Sequence, residues 1–154
     1  MIALDTFSWY KFICLYEGQW KENMLFFLKN YKIFITHDVK KEFLYRYPEQ
    51  KELLEYLVIL PRKRSKVAYD EKEFDSADIS LLEYSEDPEY LIITEDHPML
   101  AQGVTDKRNI IQFGDLIYLL FEEEVFSSSD KYQIIKKLRK MKNITKKKEQ
   151  LLQK

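Results

Sequence analysis

Apolar residues in this chain gather into short unbroken runs, each followed by a stretch where they recur every three or four positions. Ile2-Ala3-Leu4 comes first, then Ile33-Phe34-Ile35 after Lys32, then Tyr90-Leu91-Ile92-Ile93, with Asn109-Ile110-Ile111 as a shorter last member. Continuous apolar runs of this length, bounded by polar residues, predict strands buried on both faces, as in a parallel sheet. Between them the spacing is helical. Residues 7–16 and 20–31 predict two helices, the second with Met24, Phe27, Leu28 and Tyr31 on one face; Gly18 separates them. Residues 37–47 form a third around Val39 and Phe43, with Thr36 as its cap and Pro48 as its stop. Residues 49–60 read as a fourth, with Leu53, Leu54, Leu57 and Val58 turned inward. Over residues 75–85, Ala77, Asp78, Leu81, Leu82 and Ser85 share a helical stripe that leaves Glu83 and Glu86 outside it. A turn at Glu86-Asp87-Pro88 follows, and helical spacing returns over 97–103 and again over 114–124, where Asp115 is the expected cap. Alternating strand and helix predicts an α/β fold. Its parallel strands take right-handed crossovers and share one carboxyl edge.

Composition sharpens this picture in two places. With 154 residues, 45% hydrophobic and 15% aromatic, the chain has material for one packed domain and at most an appendage. Three glycines and four prolines argue against a turn-rich all-β fold and against Gly-rich phosphate loops. Cys14 has no partner for an internal disulfide and lies among apolar residues, so it is expected to be a buried thiol in a reducing compartment. The first residues lack a basic segment and carry an acid at position 5, unlike a signal peptide, and no apolar run nears the ~18 residues of a membrane span; a soluble cytoplasmic protein is expected. The formal net charge of −1 hides a division. From Lys131 onward ten Lys/Arg stand against one acid, whereas fifteen stand against twenty-five before it. Phe126 to Asp130 reads as a linker, which gives a body over 1–126 and a basic tail over 127–154, helical, with Ile134, Leu138 and Met141 on one side.

Candidate chemistry lies in the acids. Asp5 directly follows the first apolar run and Asp96 follows the third, so both fall at the carboxyl ends of strands, where open α/β sheets hold ligands. Asp78 is in the inward stripe of its helix, and Glu42 lies beside Val39 and Phe43. Plainer readings exist for two of them. Asp5 is a good helix cap, worth about 1 kcal/mol, and Glu42 could pair with Arg46 on a surface for ~0.3 to 0.5 kcal/mol. Four carboxylates drawn together would raise one another's pKa unless a cation neutralised them, and an all-oxygen set favours Mg²⁺ or Mn²⁺ over zinc. Arg62, Lys63, Arg64 and Lys66 form a basic loop in the acidic body, either a phosphate contact or a solvated turn. His37 and His97 are too few for a histidine-based metal site, and GxxxxGK[ST], HExxH, GxSxG and paired-cysteine motifs do not occur.

Strand-ending Asp5-Thr6, Glu42 after the second strand, Ser76-Ala77-Asp78 opening a helix, and Thr94-Glu95-Asp96 after an apolar strand resemble the PIN-domain ribonucleases, especially the VapC-like toxins of toxin–antitoxin pairs, over roughly residues 1–125. The resemblance implies a three-layer α/β/α fold with a central, mainly parallel sheet, here with a C-terminal basic helical extension. It implies an acidic metal-binding quartet of Asp5, Glu42, Asp78 and Asp96, with Thr6 and Thr94 as supporting hydroxyls. Phe7 stands where many relatives carry Asn or Ser, and Ser8 could supply the polar group instead. The implied chemistry is Mg²⁺- or Mn²⁺-dependent hydrolysis of RNA leaving 5′-phosphate and 3′-hydroxyl ends, with a homodimer and a cognate antitoxin as partners. Since the acids repel RNA, positive charge on the basic loop, or on Lys136, Lys137, Arg139 and Lys140 of the tail, would serve its approach. Two other readings stay open: a catalytically silent RNA-binding or protein-interaction module, and a housekeeping RNA-processing or DNA-repair nuclease. The tail likewise has a second reading, a helix that packs its apolar side and leaves its lysines in solvent.

Overall fold

A computed structural model describes residues 1–152, with side chains over 1–141; the last two residues of the predicted tail, Gln153 and Lys154, lie outside the described residues, as do side chains from Lys142 onward. The chain is mixed α/β. Each apolar run is a short strand: β1 (Ile2–Leu4), β2 (Phe34–Thr36), β4 (Leu91–Ile93) and β5 (Ile110–Ile111), with β3 (Val58–Leu60) between β2 and β4. All named pairings are parallel. β1 runs beside β4 in the register Ile2 with Leu91 through Leu4 with Ile93, and β4 beside β5. β2 pairs with β3 from Phe34 with Val58 to Thr36 with Leu60. An isolated parallel bridge between Ile2 and Ile33, with the Ile2 N–H donating to the Lys32 carbonyl at 2.9 Å, joins the two groups. The strand order is therefore β3-β2-β1-β4-β5, and it reverses direction between β1 and β4, the place where a doubly wound sheet opens a crevice.

Helices α1 (Thr6–Tyr16), α2 (Lys21–Asn30), α3 (His37–Arg46), α4 (Ser76–Ser85) and α5 (His97–Thr105) fill the connections. Trp9, Phe12, Phe27, Phe34 and Phe43 are fully buried, and Trp9 meets Phe12 and Phe43 edge-on at centroid distances of 5.1 and 5.5 Å. Aromatic burial of this density supplies much of the apolar stabilisation around so small a sheet.

Several expectations are revised. Residues 49–60 are not one helix: a 3₁₀ segment, Pro48–Tyr56, kinks at Gln50, the chain extends at Leu57 (φ −106°, ψ 147°), and β3 follows. The Val58 N–H then donates to the Ile33 carbonyl at 2.9 Å. Val58 and Ile59 remain 43% and 38% exposed, as on an edge strand, so Val58 does not face inward. α4 packs against α3, α5, β2 and β4, which buries nearly its whole length, including Glu83. Cys14 is only partly buried. Asp115 lies within the first turn of α6 (Phe113–Glu122) rather than at its cap.

The chain divides into two compact units, Met1–Phe113 and Gly114–Lys154. The first holds all five strands and α1 to α5. In the second, Phe126 is buried and α7 (Ser128–Leu152) begins inside the expected linker. Its start is a reciprocal cap, with the Asp130 N–H donating to Ser127 Oγ (3.1 Å) and the Ser127 N–H to Asp130 Oδ2 (3.2 Å). Ile134 and Leu138 of α7 are buried while Lys136, Arg139 and Lys140 are exposed, the pattern of an amphipathic helix with a solvated basic side. Among the described residues no helix is long and apolar enough to cross a membrane.

Candidate active site

At the carboxyl ends of β1 and β4, side chains continue the lacing that the strands begin. The Asp5 N–H donates to the Ile93 carbonyl at 3.0 Å, after which the Asp5 carboxylate turns in to cap α1, its Oδ1 accepting the Ser8 N–H at 2.8 Å. The Ser8 hydroxyl donates to the Ile93 carbonyl at 3.2 Å. From β4, the Thr94 hydroxyl donates to Asp5 Oδ2 and accepts the Asp96 N–H at 3.0 Å. Asp96 in turn caps α5, its Oδ1 accepting the Met99 N–H at 3.0 Å. Thr94 thus orients both aspartates at once, and Ser8 ties α1 to β4.

Asp78 arrives from the other direction, at the third position of α4. Asp75 caps that helix by accepting the Asp78 N–H at 2.8 Å. The position of α4 is set by a fully buried pair, Thr36 and Ser80, whose hydroxyl oxygens are 2.7 Å apart. Because Thr36 accepts the Val39 N–H and the Ser80 hydroxyl donates to the Ala77 carbonyl (2.6 Å), the Thr36 hydroxyl is the donor between them. That bond clamps the start of α3 to the first turns of α4.

The resulting electrostatics are lopsided. Burial raises the Asp5 pKa; the bonds from Thr94 and Ser8 oppose this, and the charge of Asp96 adds to it. Loss of water pushes Asp78 up to about 7, reinforced by the charges of Asp75, Asp96 and Asp5. Around the switch point, Asp96 therefore acts on Asp5, and both act on Asp78. The fourth predicted acid, Glu42, comes from α3 and accepts a hydrogen bond from the Thr6 hydroxyl, so it is tied to the residue after Asp5 rather than to the aspartates themselves. Among the described residues, no three of His, Cys, Asp and Glu converge closely enough to hold one metal ion between them. Asp5 and Asp96 each commit an oxygen to a helix cap. The donor chemistry of carboxylates favours a hard divalent cation over zinc.

The predicted basic contacts divide. In the loop, Arg62 Nε bonds Glu83 Oε1 at 2.5 Å and its Nη1 lies 3.5 Å from Asp38, while Lys63 lies 3.6 Å from Asp87 and over the Tyr90 ring at 5.5 Å. Arg64 and Lys66 are exposed. On α7, Lys136 and Arg139 line an open cavity of about 510 Å³ together with Lys131, Tyr118 and Tyr132. Lys140 is exposed and Lys137 partly buried.

Two features escape the sequence. Lys11 is 2% exposed and bonds Glu95 Oε1 at 2.7 Å, where Glu95 also accepts the Phe113 N–H at 3.3 Å. The ion pair fastens α1 to the segment carrying Thr94 and Asp96. Nothing local marks Lys11, since its partner is 84 positions away. Ser80 carries no local signal either, because Ser76, Asp78, Glu83 and Ser85 are equally polar positions of the same helix. No family model matches the chain, and neither a curated protein nor a solved structure matches it.

Proposed function

We propose that this protein is a divalent-metal-dependent endoribonuclease with a PIN-like three-layer α/β/α domain, in which Asp5, Asp78 and Asp96, not converged on one ion position in this structure, would draw together around Mg²⁺ or Mn²⁺, with Glu42 joined to them through Thr6. One observation carries the reading: Asp5, Asp78 and Asp96 lie around the sheet's switch point, and the charges that act on Asp5 and Asp78 are those of other carboxylates. A fold keeps uncompensated acids in such a place at a cost in stability, which is the pattern of a functional site. When bound, the cation would supply Lewis acidity and a more acidic water. The chain's own part is to aim the ligands. Thr94 holds Asp5 and the Asp96 backbone, the Thr36–Ser80 bond holds α4 and with it Asp78, and Thr6 holds Glu42. Arg64, Lys66 and the exposed lysines of α7 would steer RNA from a distance.

The test is incubation of the protein with a mixed structured-RNA pool in Mg²⁺, Mn²⁺ or EDTA, beside a folded Asp5→Asn, Asp96→Asn double variant. Cleavage that requires metal and falls about a hundred-fold or more in the variant is expected; equal cleavage by both proteins overturns the reading. Metal binding with no cleavage of any RNA would instead favour a silent binding module, a reading that the capping bonds of Asp5 and Asp96 support. A neighbouring gene for a small DNA-binding antitoxin would extend the proposal to a toxin with an antitoxin partner; its absence would favour housekeeping RNA processing.

A further inference from the structure

Between α6 and α7, within the second unit, the fold leaves a groove with one chemical character along its length. Lys131, Tyr132, Ile135, Lys136 and Arg139 line it from α7 and Tyr118 lines it from α6, around the open cavity of about 510 Å³. Their spacing of three and four puts the α7 residues on one face, which runs from Ser128 to Arg139, about three helical turns. The floor of the groove is apolar. Ile135 Cδ1 lies 3.9 Å from the place where Gly114 of α6 would carry a Cβ, and Tyr118 and Tyr132, 47% and 69% exposed, flank it. The rim is basic. The Lys131 ammonium rests 3.9 Å from the Phe121 ring centroid and 5.2 Å from that of Tyr118, which fixes its charge at the edge of the groove. Lys136 and Arg139 are exposed, and among the described residues neither pairs with a carboxylate. Among the described residues no acid lines the groove.

We propose that this groove docks an acidic amphipathic segment of a partner protein, about three helical turns long, with an apolar anchor seated between Tyr118, Tyr132 and Ile135 and carboxylates meeting Lys131, Lys136 and Arg139. Charge complementarity selects this occupant. Three cations with no acid among them repel a basic segment and admit an acidic one, and the preference extends along a chain that from Lys131 onward holds ten Lys/Arg against one acid. A purely ionic occupant would leave the floor unused. Ile135 offers a phosphate or a base edge no hydrogen bond but accepts an aliphatic or aromatic anchor, and tyrosine and arginine are the residue types on which interface energy concentrates. The same acidic segment would be repelled by Asp5, Asp78 and Asp96, so the groove and the carboxylate site sort partners of opposite charge. The proposal does not rest on the nuclease reading, since every residue it uses lies in the second unit. It takes Lys136 from the lysines that would steer RNA and leaves Lys140.

The experiment selects from a displayed library of random peptides, each about three helical turns long, on the full chain, and then measures the enriched peptides by fluorescence anisotropy. Wild type is expected to enrich peptides that combine several Asp or Glu with a Leu, Ile, Phe or Trp, and their binding should weaken with added salt. A Lys136→Glu, Arg139→Glu double variant should bind them at least about ten-fold more weakly, and Tyr132→Ala about as much. Both variants change exposed side chains, and melting temperature reports that they are folded. Replacing the acids of an enriched peptide by Asn and Gln should abolish its binding. No enrichment, enrichment of peptides without an acidic excess, or equal affinity in wild type and both variants overturns the proposal. Displacement of the enriched peptides by a single-stranded or duplex oligoribonucleotide that itself loses affinity in Tyr132→Ala also overturns it, by giving the groove to nucleic acid. Self-association that Tyr132→Ala abolishes, with peptide affinity unchanged, overturns it by giving the groove to a second copy.

Discussion

Glu95 and Asp96 are consecutive, yet the molecule treats the two sides of their segment in opposite ways. Glu95 turns toward α1 and meets the buried ammonium of Lys11 at 2.7 Å. Asp96 turns toward the switch point, where its charge adds to the burden on Asp5 and Asp78. On α4 the same contrast recurs within five residues: Glu83 is buried but receives Arg62, whereas Asp78 faces other acids. Cations are supplied where a carboxylate supports the fold and withheld where carboxylates cluster. A buried acid without a counter-charge is costly, so the caps that Asp5 and Asp96 make come with a charge conflict that the paired side avoids.

Four measurements would break or sharpen that contrast. Lys11→Met should be the most damaging change on the paired side, costing about 3 to 5 kcal/mol in chemical denaturation because the largely buried Glu95 loses its counter-charge. Adding Glu95→Leu should recover part of this, and a Lys11→Met protein as stable as wild type would refute the paired reading. On the clustered side, divalent metal at about a hundred times its dissociation constant should stabilise wild type by about 2.7 kcal/mol and an Asp5→Asn, Asp78→Asn variant hardly at all, read as a shift in melting temperature. An equal shift in both would move the metal elsewhere.

The third measurement concerns pH. Asp78 has its pKa pushed from 3.8 to about 7 in the folded chain, so between these values the folded state holds a proton that the unfolded state has released. Stability of the metal-free protein should therefore fall as pH rises through that window and level off above it. Asp78→Asn should flatten the slope, and a slope unchanged by this substitution would show that Asp78 does not carry the charge conflict. The smallest effect is expected from Arg62→Ala, about 1 kcal/mol, because the guanidinium side chain is 48% exposed and water can replace it at Glu83.

How far these regions were legible differs for a physical reason. Asp5 and Asp96 were readable because each ends an apolar run and begins a helix, a local signal that serves both a cap and a ligand. Asp78 was readable from its place in the α4 stripe. β3 was not, since Leu53, Leu54, Leu57 and Val58 fit helical spacing as well as a short edge strand, and only pairing with β2 distinguishes them. Glu83 looked outward because periodicity assumes one buried face, while α4 is covered on several sides. Lys11 was the least visible. A lysine in an amphipathic helix normally reaches solvent, and what reverses this is a carboxylate from a distant strand. Within the second unit, the apolar side of α7 was legible from Ile134 and Leu138, but its start was not, because the serine run supplies a cap where it suggested a linker.

The parallel pairing of β1 with β4 carries a consequence for how the protein is made. Thr94 and Asp5, which share a hydrogen bond at the heart of the site, are 89 positions apart, and every residue between them is translated before they can meet. Such long-range closure slows folding relative to a helical bundle of the same length. It also means that a nascent chain holds the first acid long before the last, so a ribosome-bound fragment that stops short of Asp96 has no complete site. A nuclease assembled in this order would be harmless until its first unit is nearly finished.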